Sequence, residues 1–86
     1  MGQLRNTKLL KNIAVVLKQL RNDLGLTQDE VYDETKIHVG RIETAKANLS
    51  VSTLDALCKY YNLPLSEFYK RVEQLETKYP TSKKLT

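Results

Sequence analysis

Eighty-six residues are enough for one small domain with a single modest core, and a composition of 41% apolar and 28% charged residues excludes disorder by composition. A net charge of +4 with a pI near 9.3 favours an anionic partner. One cysteine excludes an internal disulfide, one histidine excludes a His/Cys metal cluster, and no apolar run approaches the roughly 20 residues of a membrane span.

Met1-Gly2-Gln3-Leu4-Arg5-Asn6 fits neither a signal peptide nor a myristoylation site, Asn6 standing where Ser or Thr is needed, so a soluble cytoplasmic protein is expected. Residues 1–6 read as a flexible lead-in, 7–79 as one domain and 80–86 as a flexible polar tail. From Thr7 onwards Leu9, Leu10, Ile13, Val16, Leu17, Leu20 and Leu24 recur at three- and four-residue steps. This spacing predicts a first helix over 7–24 with one apolar face, which Val15 interrupts. Gly25 supplies a left-handed stop, and Thr27 with Glu30 forms a T-x-x-E capping box that opens a second helix at Gln28. Val31 of that helix points to the core, beside an unusually large Tyr32.

A third helix start is expected at Thr35, with Val39 and Ile42 turned inward. Ala45 to Val51 reads as a loop, and Ser52 with Asp55 forms an S-x-x-D capping box for a fourth helix. Its buried face is Leu54, Leu57, Cys58 and Tyr61. Asn62 suits a left-handed stop, Pro64 can open a helix, and the fifth runs from about Leu65 with no breaker before Pro80. There is no strand pattern, repeat or glycine-rich loop. The chain reads as all-α.

Two short helices joined by a tight turn in a small basic chain suggest a helix-turn-helix. Leu20-Arg21, Leu26-Thr27-Gln28, Arg41-Ile42-Glu43, Leu54, Leu63 and Leu65-Ser66-Glu67-Phe68 resemble, in order and spacing, the Cro/repressor-type (xenobiotic-response-element) helix-turn-helix domain. The resemblance covers about Ile13 to Arg71. It implies a five-helix Cro/repressor-like domain, here with extended first and last helices and a helix-turn-helix at about 28–44, and it implies double-stranded DNA as partner. It further implies a structural ion pair between Arg21 and Glu43, and a DNA contact from the Gln28 amide at a helix N-terminus suited to phosphate.

Anchored on Val39, Ile42 and Glu43, the family pattern places Thr35 at the cap of the recognition helix and exposes Lys36, Ile37, His38, Gly40 and Arg41. The N-terminal residues of such a helix meet base edges in the major groove. Arg41 then pairs with guanine, Lys36 with guanine or phosphate, and Ile37 with a thymine methyl. Thr44, Lys46 and Asn48 fall where the family contacts the DNA backbone. From Thr27-Gln28 to Ile42-Glu43, however, the chain is about three residues shorter than the family's spacing, nearly one helical turn. Anchored from the second helix instead, Ile37 becomes a buried turn residue and His38 the cap of a stunted recognition helix. The family's turn glycine is absent, and Ala45 replaces another.

Nucleophilic catalysis needs Ser, Cys or Thr beside a base, and His38 is the only histidine. Cys58 lies among core residues as an inert thiol, and no nucleotide-binding loop appears. No enzyme, cofactor, metal or small-molecule ligand is expected. Asp29, Glu30, Asp33 and Glu34 crowd the second helix within about one Debye length (~8 Å) of where phosphates would run, which predicts salt-sensitive binding. Leu65, Phe68, Val72, Leu75 and Tyr79 follow three-four spacing. The first two close the core, while Val72, Leu75 and Tyr79 are candidates for a dimer contact or for packing on the first helix. The reading is a sequence-specific DNA-binding transcriptional regulator acting as a small homodimer. The alternative is a protein-interaction module, an antitoxin or adaptor, on the same fold.

Overall fold

The computed structural model describes residues 7–45 and 49–78, and among them five helices and no strand: α1 (Thr7–Asp23), α2 (Gln28–Thr35), α3 (Val39–Glu43), α4 (Val51–Tyr60) and α5 (Leu65–Lys78). α1 buries Ile13, Ala14, Val16, Leu17 and Leu20. Its expected apolar face is thus buried only in the middle, with Leu9 and Leu24 left exposed at the ends. Leu24 lies past the last helical residue, where the chain is already turning. α1 packs against both α3 and α5, and α4 packs against α5. Phe68, Leu17, Leu57, Val16, Val31 and Cys58 are the most deeply buried side chains.

The turn from α1 to α2 forms as its residues dictate. Gly25 is left-handed at φ 72°, its N–H bonds to Asn22 O at 3.0 Å, and Leu26 N–H reaches Arg21 O at 3.1 Å. This is a Schellman stop, which satisfies carbonyls that a helix end leaves open. Thr27 Oγ1 then accepts from Glu30 N–H, while Glu30 Oε1 accepts from Thr27 N–H at 2.8 Å. α4 ends in the same way on Asn62 at φ 60°, with Leu63 N–H bonded to Cys58 O at 2.9 Å.

Two expectations need correction. Thr35 does not start a helix; it ends α2, its hydroxyl donating to Val31 O at 2.8 Å and accepting from Ile37 N–H at 3.1 Å. The chain therefore takes the registration anchored on the second helix. Lys36 is the left-handed stop of α2, Ile37 is half-buried against the core, and His38 stands at the N-cap position, without a side-chain capping bond, of a recognition helix that starts only at Val39. α4 begins at Val51 rather than after Ser52, because the Ser50 hydroxyl takes Thr53 N–H at 3.1 Å. Asp55 is left to pair with Lys59 one turn on, at 3.1 Å.

Of the two roles left open for Val72, the structure takes packing within the domain. Val72 is 3% exposed and sits in the domain's own core, with Leu75 partly buried beside it. The long α5 lies against the long α1, tied near their ends by Asn12 Nδ2 donating to Glu76 Oε1 at 3.0 Å. Burying Val72 within one chain is the cheaper way to remove its surface from water, since no association entropy is lost. Tyr79 lies outside the described residues.

Candidate nucleic-acid interface

The interface is built on a buried ion pair. Arg21, 8% exposed at the end of α1, donates from Nε to Glu43 Oε2 at 2.7 Å and from Nη2 to Glu43 Oε1 at 2.9 Å. Nη1 donates to Leu26 O at 2.8 Å, so one guanidinium joins α1, the α1–α2 turn and the end of α3. The planar fork suits this bidentate grip. The hydrogen bonds to Glu43 raise the Arg21 pKa, against the opposing effect of burial.

Glu43 has a further donor. Gln28 Nε2 bonds to Oε1 at 3.0 Å, which lays the Gln28 side chain from the start of α2 across to α3. Gly40 eases the crossing: a Cβ there would stand 3.1 Å from Gln28 Oε1, so the amide would have to give by a few tenths of an ångström. Beside Gln28 opens a hollow of about 420 Å³, lined also by Asp29, Tyr32, His38, Val39, Gly40 and Arg41. Arg41 is exposed on the outer side of α3. The His38 imidazole packs on the Tyr32 ring with centroids 4.5 Å apart, and Lys36 Nζ lies 5.4 Å from the same ring centre.

Gln28, His38, Gly40 and Arg41 are thus brought around one hollow, and Lys36 lies over the Tyr32 ring that helps line it. Ile37 is not exposed, because the short turn drives it against the core. Thr44 is exposed just past α3, while Lys46 and Asn48 lie outside the described residues. Beside Thr44 a second groove of about 340 Å³ carries Lys11, Val15 and Lys18 of α1, which adds positive charge to that flank.

Two of the acids of α2 keep their charge but are engaged by hydrogen bonds within the fold. Glu30 is turned back into the capping box, and Glu34 accepts from Tyr60 Oη at 2.9 Å, a bond that raises the Tyr60 pKa. Asp29, by contrast, faces the hollow. Cys58 is 1% exposed, and burial pushes its thiol up to about 11, which keeps it protonated and unreactive at neutral pH. Tyr61, 3% exposed, has a hydroxyl with no hydrogen-bond partner among the described residues, and burial pushes its pKa up to about 12.

The chain matches the helix-turn-helix family, Cro/repressor type, over residues 17–68. It belongs to that family. The matched span runs from mid-α1 to the Phe68 that closes the core, so it contains the whole Arg21–Glu43–Gln28 junction and the hollow beside it. A helix-turn-helix of this family is a DNA-binding, regulatory domain and not an enzymatic one. No curated protein matches the chain. No helix among the described residues is long and apolar enough to cross a membrane. Of the residues around the hollow, sequence reading did not single out Tyr32, which meets both His38 and Lys36. Its one signal was its size at a position that the family fills with a small side chain.

Proposed function

We propose that this helix-turn-helix chain is a sequence-specific transcriptional regulator that reads duplex DNA as a homodimer. The observation that carries the reading is Gln28, locked by Glu43 across the bare face of Gly40 and next to the exposed Arg41. Donors and acceptors fixed before binding suit base-edge and phosphate recognition. Arg41 reads guanine bidentately, and Gln28 with the N–H groups of α2 takes a phosphate. Lys36 and His38 approach from the turn, and Thr44, Lys46 and Asn48 take the backbone beyond α3. Ile37, being half-buried, has no share in reading thymine.

Five residues of α3 span only about 7.5 Å, less than the roughly 12 Å width of the major groove. So short a helix reads few base pairs, and two modules on half-sites ~34–36 Å apart would supply the missing specificity. With Val72 buried, the half-buried Leu75 of α5 and the exposed Leu9 and Val15 of α1 remain as apolar candidates for the dimer contact. Selection of bound fragments from random duplex DNA tests the reading. An enriched two-fold motif supports it. Arg41→Ala should then weaken binding by ~1–3 kcal/mol and relax one position. An unenriched pool would favour the interaction-module reading, for which the acidic Asp29 in the hollow is the supporting observation. Sedimentation at micromolar concentration tests the dimer, and a wild-type monomer bound singly to DNA would end that part.

A further inference from the structure

Lys36 stands in the left-handed region at φ 63°, a conformation that glycine adopts freely and that costs a residue with a Cβ. Its backbone does there only what a glycine would do, its N–H closing the helix on Tyr32 O at 2.7 Å. The lysine side chain is what a glycine could not supply. Its ammonium lies 5.4 Å from the centre of the Tyr32 ring, within cation–π range, and the His38 ring packs on the same tyrosine. The His38 side chain makes no capping bond to α3. One aromatic ring thus organises two basic side chains at the rim of the hollow that holds Gln28 and Arg41.

We propose that Tyr32 is a positioning residue for DNA recognition, holding Lys36 to a phosphate and His38 to the adjoining base edge. The proposal rests on the DNA-reading function proposed above. Contact with a ring face leaves the ammonium N–H groups available to phosphate oxygens while limiting the rotamers of a long side chain. Backbone strain retained at a functional segment is then intelligible: the left-handed lysine is kept for what its side chain meets. The shortened turn favours this device, because the first turn of a longer recognition helix is missing and the rim must supply its contacts.

The experiment measures duplex affinity on a selected site, its salt dependence, and thermal melting for four variants of the full chain. Lys36→Gly should raise the melting temperature while weakening DNA binding about tenfold and flattening the log–log salt slope by about one. Tyr32→Phe, which keeps the ring, should bind within about twofold of wild type, whereas Tyr32→Leu should lose most of what Lys36→Gly loses. In the Tyr32→Leu, Lys36→Gly double variant the losses should not multiply. A merely structural role for Tyr32 would lower melting without touching the salt slope. Wild-type affinity in Lys36→Gly overturns the proposal, as do multiplicative losses in the double variant. If Tyr32→Leu fails to fold, Lys36→Gly and Tyr32→Phe still decide, because a large loss in Tyr32→Phe also overturns it. A wild type that binds no duplex overturns this inference and the DNA reading together, whereas a binding wild type with indifferent variants overturns this inference alone.

Discussion

The turns of this domain fall into two kinds. The one between α1 and α2 and the one after α4 are stopped by Gly25 and Asn62, residues that enter the left-handed region readily. The stops on either side of α3 are Lys36 and Ala45, at φ 63° and 59°, which enter it at a cost. Among the described residues, the costly left-handed stops thus fall at the two ends of the recognition helix and not in the framework turns. A five-residue helix with strained stops and no side-chain cap does not hold its own position. The Arg21–Glu43–Gln28 junction holds it from behind, with Val39 and Ile42 buried beneath.

The sharpest way to break this arrangement is to remove the junction. Glu43→Ala leaves the Arg21 guanidinium buried with only Leu26 O among its hydrogen-bond partners described above, and should cost ~3–5 kcal/mol in denaturant unfolding. Arg21→Met in the same background should recover part of that loss. Truncation in the framework tests the other side of the contrast. Val72→Ala should cost about 2 kcal/mol by the same measurement, without changing the oligomeric state at matched folded fraction.

Alkaline titration probes the core under both. Cys58 ionises in the unfolded chain near its ordinary 9 but in the folded chain at about 11, so the folded state holds the proton more tightly. Stability should be intact below pH 9 and fall as pH rises from 9 to 11, by on the order of 1–3 kcal/mol. Cys58→Ala should remove the part of this loss that begins near pH 9 in pH-resolved melts, leaving the loss above pH 10 that the raised Tyr61 brings. The smallest effects compare the turns directly. Lys36→Gly and Ala45→Gly should each stabilise by roughly 0.5–1 kcal/mol, while Gly25→Ala should destabilise by about 1–2, all read from equilibrium unfolding.

The same division governs what the sequence made legible. Gly25, the Thr27–Glu30 box and Asn62 are local rules obeyed by local structure, and they fix the ends of α1, α2 and α4. The Arg21–Glu43 contact lies beyond local rules, and the family resemblance pointed to it. The recognition turn was not readable, because Thr35 looks like an N-cap while Lys36 and Ala45 look like anything but left-handed stops. Two registrations fitted, and burial of Ile37 decided between them. The start of α4 falls two residues before the one read from Ser52 and Asp55, because Ser50 also stands three residues ahead of a polar residue, Thr53, and was passed over. Val72 fits a heptad seam and a core position equally well, and only the long α1 lying against it distinguishes them.

The junction at Glu43 also bears on the speed of recognition. Its carboxylate is engaged by three donors from α1 and α2, so α3 is held in its final orientation before any duplex arrives. Little has to rearrange on contact. Association should then be limited by encounter and steered by surface charge, with a rate that rises linearly with DNA concentration and falls steeply with salt, and differences between DNA sequences should reside in how long the complex lasts.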